Sequence, residues 1–251
     1  MDTKNTFDKK IISNSINVGF FSIASEISGH LFMDNVKMEK QRTNLSYQSI
    51  IKKYGTIKGF WNGLFPWVAI QSFGKGCIVG VTKHLVEEDL KEKSYTDNEK
   101  NIVLGLSTGI AESLFLTPLL IKRTETNKRF TESSKAKVSF SKNKVLTSFS
   151  VLTSKRCVDW TFRFIFIDFF TKYSPTDNIY FNTYMGAGFS TIMSTPIDRL
   201  IPLINDDKII LKVFRQQGIG FFYKGFIFRF LSTAHYATFV LALPYIFKDK
   251  F

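Results

Sequence analysis

Five stretches of the chain carry almost no charge. Ile11 to Met33 is broken only by Glu26, Leu64 to Thr82 only by Lys75, and Ile102 to Ile121 only by Glu112. Asn178 to Ile197 and Phe230 to Phe247 hold no Asp, Glu, Lys or Arg, and Arg229 stands just before the second of these. A sixth stretch, Val151 to Phe170, is punctuated by Lys155, Arg156, Asp159, Arg163 and Asp168. The runs reach the roughly 20 residues that an apolar helix needs to cross a bilayer. The pattern predicts six helices. Run length favours membrane helices over the competing reading, six amphipathic helices of a soluble all-α protein.

Charge between the runs points the same way. Segments 38–62, 122–147 and 202–224 together hold 17 Lys and Arg, against 5 in segments 83–101 and 172–177. This bias puts the odd loops on one side of a membrane and both termini on the other. It also makes much of the net charge of +13 a matter of topology rather than of nucleic-acid binding. Most of the aromatics, dominated by 27 Phe, fall inside the apolar runs and not among the basic residues, so no nucleic-acid partner is expected.

Composition sets the outer bounds. With 251 residues and 44% hydrophobic content, the chain is long enough for a sizeable core and too apolar for a disordered basic tail. Cys77 and Cys157 offer no disulfide framework. His30, His84 and His235 show no metal-ligand spacing. There is no nucleophile–base pair and no phosphate-cradling glycine loop, so neither an enzyme nor a cofactor or metal site is expected.

A repeat underlies the runs. The first ends in Phe32-Met33-Asp34-Asn35-Val36-Lys37, the third in Pro118-Leu119-Leu120-Ile121-Lys122-Arg123, and the fifth in Pro196-Ile197-Asp198-Arg199-Leu200-Ile201. These read as one degenerate frame, Pro-x-Asp-x-x-basic. A second shared piece follows the first and third copies, as Gly59-Phe60-Trp61-Asn62-Gly63 and as Gly220-Phe221-Phe222-Tyr223-Lys224-Gly225. Gly105 and Gly109, and later Gly186 and Gly188, precede the frames at spacings that let helices approach closely.

In these frames the sequence resembles the mitochondrial carrier family, as a divergent and partly degenerate member. The resemblance covers nearly the whole chain and implies a single all-α membrane domain. Its six transmembrane helices would form three pseudo-repeats, about 11–90, 98–173 and 177–251, each with a short matrix-side helix. Phe32 takes the place of the first kink proline, leaving Pro118 and Pro196 as helix kinks, and the second repeat lacks the aromatic-basic-Gly piece.

The family's gates carry over position by position. On the matrix side the resemblance implies pairs of Asp34 with Arg123 and of Asp198 with Lys37, and an apolar pair of Leu120 with Ile201. Where an acid is lost its expected base is lost too, which avoids an unpaired buried charge costing about 3–5 kcal/mol. On the opposite side Asp168 and Lys248 form one implied pair, or are two unrelated interfacial charges. Substrate contacts are implied near Lys155, Arg156, Arg229 and Gln71. Two adjacent cations suit a carboxylate or phosphate, although Lys155 and Arg156 would equally flank the start of a helix at a positively biased surface. The run of arginines and methionines typical of nucleotide carriers is absent, which disfavours ADP/ATP exchange.

The resemblance further implies a multi-pass inner-membrane location with both termini facing the intermembrane space, and contact with the lipid bilayer, including cardiolipin. The N-terminus, with Asp2 and Asp8 and no Arg in its first ten residues, does not look like a cleavable targeting peptide. Two functions are in view. The uneven decay of the motifs favours a structural or accessory subunit of a larger respiratory-chain assembly, with transport weakened or lost. The matched surviving pairs favour an active carrier exchanging a small anionic metabolite.

Overall fold

Helix α1 (Asp2–Ser25) runs into a five-residue π turn (Glu26–His30) and continues as α2 (Leu31–Arg42). The computed structural model describes residues 2–42, 45–54, 66, 68–91, 93–132, 142–200 and 218–246. After the short α3 (Tyr47–Tyr54) come four long helices: α4 (Ala69–Lys91), α5 (Asp97–Glu132), α6 (Lys142–Tyr173) and α7 (Ile179–Leu200). The last segment is α8 (Phe226–Ala237), a second π turn (Thr238–Ala242) and α9 (Leu243–Ile246).

Local chemistry sets several of the helix starts. Before α5, Thr96 and Glu99 form a reciprocal capping box: the Thr96 backbone N–H donates to Glu99 Oε2 at 2.8 Å, and the Glu99 N–H donates to Thr96 Oγ1 at 3.4 Å. Asn178 Oδ1 accepts the N–H groups of Tyr180 and Phe181 at 2.9 and 3.1 Å, satisfying two orphan donors at the head of α7. The piece Gly220–Gly225 makes a tight turn into α8, with Gly225 at φ 89°. Where Phe32 replaces a proline, the bend comes from another device. Gly29 sits at φ 137° inside the first π turn, a conformation that favours glycine, and the helix kinks there.

The long helices close into a ring. α1 packs on α4, α4 on α5, α5 on α6, α6 on α7 and α7 on α8, and α8 returns to α2 while the second π turn returns to α1. Small residues allow the closest approaches. A Cβ on Gly109 would lie 2.5 Å from the Cys157 backbone nitrogen, and one on Gly186 would lie 2.6 Å from the Ile167 Cα, so α5 and α7 meet α6 nearly backbone to backbone. Inside the ring, Val18, Val79, Leu104, Trp160, Phe164, Tyr236 and Val240 form an apolar layer drawn from α1, α4, α5, α6, α8 and the second π turn.

The expected membrane architecture is overturned. The regular secondary structure of the described residues is all helical, but no helix among them is long and apolar enough to cross a membrane. The physical reason lies in the uncharged polar side chains of the runs. Asn178 to Ile197 contains Asn182, Thr183, Ser190, Thr191, Ser194 and Thr195, all buried. Ile11 to Met33 contains the buried Ser15, Ser22 and Ser25 besides Glu26. Such residues keep a helix free of charge without making it apolar. Six transmembrane helices in a carrier fold, the multi-pass inner-membrane location and the description as a membrane carrier or membrane-complex subunit fall together. The loop-charge bias loses its topological meaning with them.

Candidate functional site

The charges that interrupt the runs converge. A cavity of about 230 Å³ opens inside the ring beside the apolar layer, and Tyr236 belongs to the wall of both. Its wall includes Lys37 from α2, Lys75 from α4, Lys155, Arg156 and Arg163 from α6, and Arg229 from α8: six cations facing three carboxylates, Asp34, Asp159 and Asp198. Helical spacing does this. Lys155, Arg156, Asp159 and Arg163 recur at three- and four-residue steps, so α6 turns one charged stripe toward the ring axis.

Most of the cations are tightly paired. Asp198, at the end of α7, is the hub. It meets Lys155 and Arg229 in close ion pairs and lies 3.6 Å from Lys37 Nζ. Lys37 is also 2.6 Å from Asp34 on its own helix. Arg229 donates to Asp159 Oδ1 at 2.7 Å and to Ser194 Oγ at 2.8 Å. Burial alone would push the Asp198 and Asp159 carboxyls up. Arg229 and Lys155 more than offset it, with Lys37 adding at Asp198 and Arg163 at Asp159, and hold both below the usual carboxylate range.

A second group forms around Glu112, which is fully buried on α5. Trp160 Nε1 donates to Glu112 Oε2 at 2.5 Å, and Arg156 Nη1 lies 3.1 Å from Glu112 Oε1. Lys75 Nζ stands farther off, 3.8 Å from Glu112 Oε1, and sits 3.6 Å over the Tyr236 ring centre. Burial brings Lys75 down to about 7, with Glu112 opposing and the cations Arg156 and Arg163 reinforcing the drop. A hydrogen-bonded line continues toward the π turn. Ser72 Oγ donates to Glu26 Oε1 at 3.2 Å, and His30 Nδ1 lies 2.9 Å from the Ser232 hydroxyl. Burial lowers His30, with Glu26 and Asp34 opposing.

Of the implied gate residues, Asp198 and Lys37 are together, yet Asp198 is shared with Lys155 and Arg229, which the resemblance assigned to substrate. The side chains of Pro118, Leu120 and Arg123 lie outside the described residues, as do Ile201 and Lys248. Pro196 lies within α7. Asp168 is 2.9 Å from Lys172 one turn along its own helix, and Lys172 also reaches Asp97 at 2.7 Å. Lys155, Arg156 and Arg229 all line the cavity, whereas Gln71 is buried outside its wall. Lys75, Glu112, Asp159, Arg163 and Tyr236 were not singled out as site residues. Their signal was present as charges breaking otherwise uncharged runs. No protein-family model matches the chain, and no curated protein matches it in sequence.

Proposed function

We propose that this protein binds a small anion in the cavity at the centre of the helical ring. The observation that carries the reading is the wall itself, in which six cationic side chains outnumber three carboxylates, with Glu112 behind Arg156 and Lys75 as a fourth, around a cavity of about 230 Å³. A desolvated anion requires fixed donors of this kind, and surplus positive charge in a low-dielectric pocket is otherwise unfavourable. The volume falls below the roughly 300–1,000 Å³ of drug-sized pockets, which selects inorganic oxyanions and short carboxylates over nucleotides.

Titration calorimetry at low ionic strength with sulfate, phosphate, malonate and α-keto acids tests the reading, with neutral amides of the acids as controls. Anions are expected to bind and to raise the melting temperature, by an amount equivalent to about 2.7 kcal/mol at a hundredfold excess over Kd. If no anion binds at millimolar concentration, the reading fails.

A packing role in a larger protein assembly is the second reading. It is favoured by large apolar side chains on the outside of the ring, with Phe20 60%, Leu114 57% and Phe115 67% exposed. Its test is the native mass of the untagged protein after gentle extraction, where a free 28.9 kDa species would count against it.

A further inference from the structure

Within the cavity wall one cation differs from the rest. Lys37, Lys155, Arg156 and Arg229 each lie close to a carboxylate, and those contacts knit α2, α5, α6, α7 and α8 together. Arg163 does not. The residue is 5% exposed, and its Nε and Nη1 are buried without a hydrogen-bond partner. No carboxylate among the described residues comes within ion-pair distance of it. Its neighbour is the Trp160 ring, whose centre lies 4.1 Å from Arg163 Cζ. A buried guanidinium without an acceptor is costly, and five donors in a planar fork match an oxyanion. Lys75 has the same character. It rests on the Tyr236 ring, with only a long contact to a Glu112 already engaged by Arg156 and Trp160. The two cations are near enough to repel each other.

We propose that Arg163 and Lys75, the two cavity cations held over aromatic rings, form the anion site itself, and that a compact dianionic oxyanion binding there draws a proton from solvent onto the Lys75 amine. The proposal rests on the anion-binding reading and assigns the site within it. The paired cations then serve as framework: they hold the helices together and set the surrounding field, while Arg163 and Lys75 supply the donors left over for a ligand.

Proton uptake follows from what surrounds Lys75. Glu112 faces it from α5, Arg156 and Arg163 from α6, Glu26 and His30 from the π turn, and the Tyr236 ring from α8. In the empty cavity the cations and burial outweigh the acids, and the amine titrates at about 7. A dianion between Arg163 and Lys75 cancels that repulsion and favours the ammonium form, so affinity and protonation rise together.

Calorimetry with sulfate and with malonate, each in two buffers of different ionisation enthalpy, counts the protons. Both probes are fully ionised above pH 7, so any proton taken up belongs to the protein. The expected result is uptake of most of a proton per anion at pH 8 and about half at pH 7. Arg163→Gln is expected to weaken binding at least tenfold, and Arg163→Lys to weaken it less, because charge remains without the fork. Lys75→Arg, which stays charged throughout, is expected to lose the proton uptake. Folding of each variant is checked by its unfolding transition. Stronger binding of sulfate than malonate assigns the site to inorganic oxyanions, and the reverse to dicarboxylates. If anions bind the wild type without proton uptake and Arg163→Gln binds equally well, this site is wrong while anion binding stands. If neither probe binds the wild type, the anion-binding reading falls and takes the assignment with it.

Discussion

Arg229 on α8 donates to Asp159 on α6 at 2.7 Å, joining residues 70 positions apart in the chain, and both side chains are buried. Arg229 also holds Asp198, and Asp159 also faces Lys155 and Arg163, so removing one member leaves the other short of countercharge in a site that water does not solvate. Asp159→Asn or Arg229→Met is therefore expected to destabilise the fold by about 3–5 kcal/mol in urea unfolding. The double variant should recover part of that loss, because the stranded charge is gone. A double variant no better than the sum of the singles would show that the two residues act independently.

Lys75 makes stability depend on pH in a window that few groups share. Its folded-state value of about 7 lies below that of an unfolded lysine. Between about 7 and 10.5 the unfolded chain therefore holds a proton that the folded protein does not. The penalty is fully present below that window and is relieved as pH rises through it. Unfolding free energy is expected to climb relative to Lys75→Met by up to about 1.4 kcal/mol per pH unit. Parallel curves for the two proteins between pH 7 and 9.5 would contradict this.

The carboxylates act in the opposite range. Asp159 and Asp198 are held below their unfolded values, so the stability they contribute is present at neutral pH. It is lost as pH falls below the ordinary carboxylate value toward their lower folded values. Acid unfolding monitored by circular dichroism should move to higher pH in Lys155→Met, which removes a cation from Asp198.

Gly109 reports on the contact between α5 and α6. A methyl group there would meet the Cys157 backbone nitrogen at 2.5 Å and its Cα at 2.6 Å, and backbone cannot step aside as a side chain can. Gly109→Ala is expected to cost about 1–3 kcal/mol by forcing the helices apart. Gly220, with nothing within 4 Å of a Cβ, is the control, and its alanine variant should unfold within about 0.5 kcal/mol of wild type.

Gly29 tests the kink. At φ 137° an alanine is strained, and Gly29→Ala is expected to lose about 1–3 kcal/mol. The loss should come with a change in the environment of His30, read as a shift of its imidazole resonances.

The helices were legible because their signals are local. Uncharged runs bounded by polar segments depend only on near neighbours, whereas the caps at Thr96 and Asn178 came to light only in the structure. The close approaches at Gly109 and Gly186 were legible for the same reason, as small residues in long uncharged helices. Membrane crossing is not legible from the absence of charge alone, because absence of charge is not apolarity, and residues such as Asn182, Thr191 and Thr195 separate the two properties.

The site divides along the same line. By itself the sequence determined which residues carry charge within the uncharged runs, and the helical period that turns Lys155, Arg156, Asp159 and Arg163 to one face of α6. It did not determine their partners. Asp198 could be assigned Lys37, but whether it also holds Lys155 and Arg229 depends on how α6, α7 and α8 meet around the ring. Pairing energies fall off within a few ångströms, and those distances are set by helix packing between residues far apart in the chain. Only the tertiary structure decided that most of the cavity cations are held closely by carboxylates while Arg163 and Lys75 lie on aromatic rings in the cavity wall.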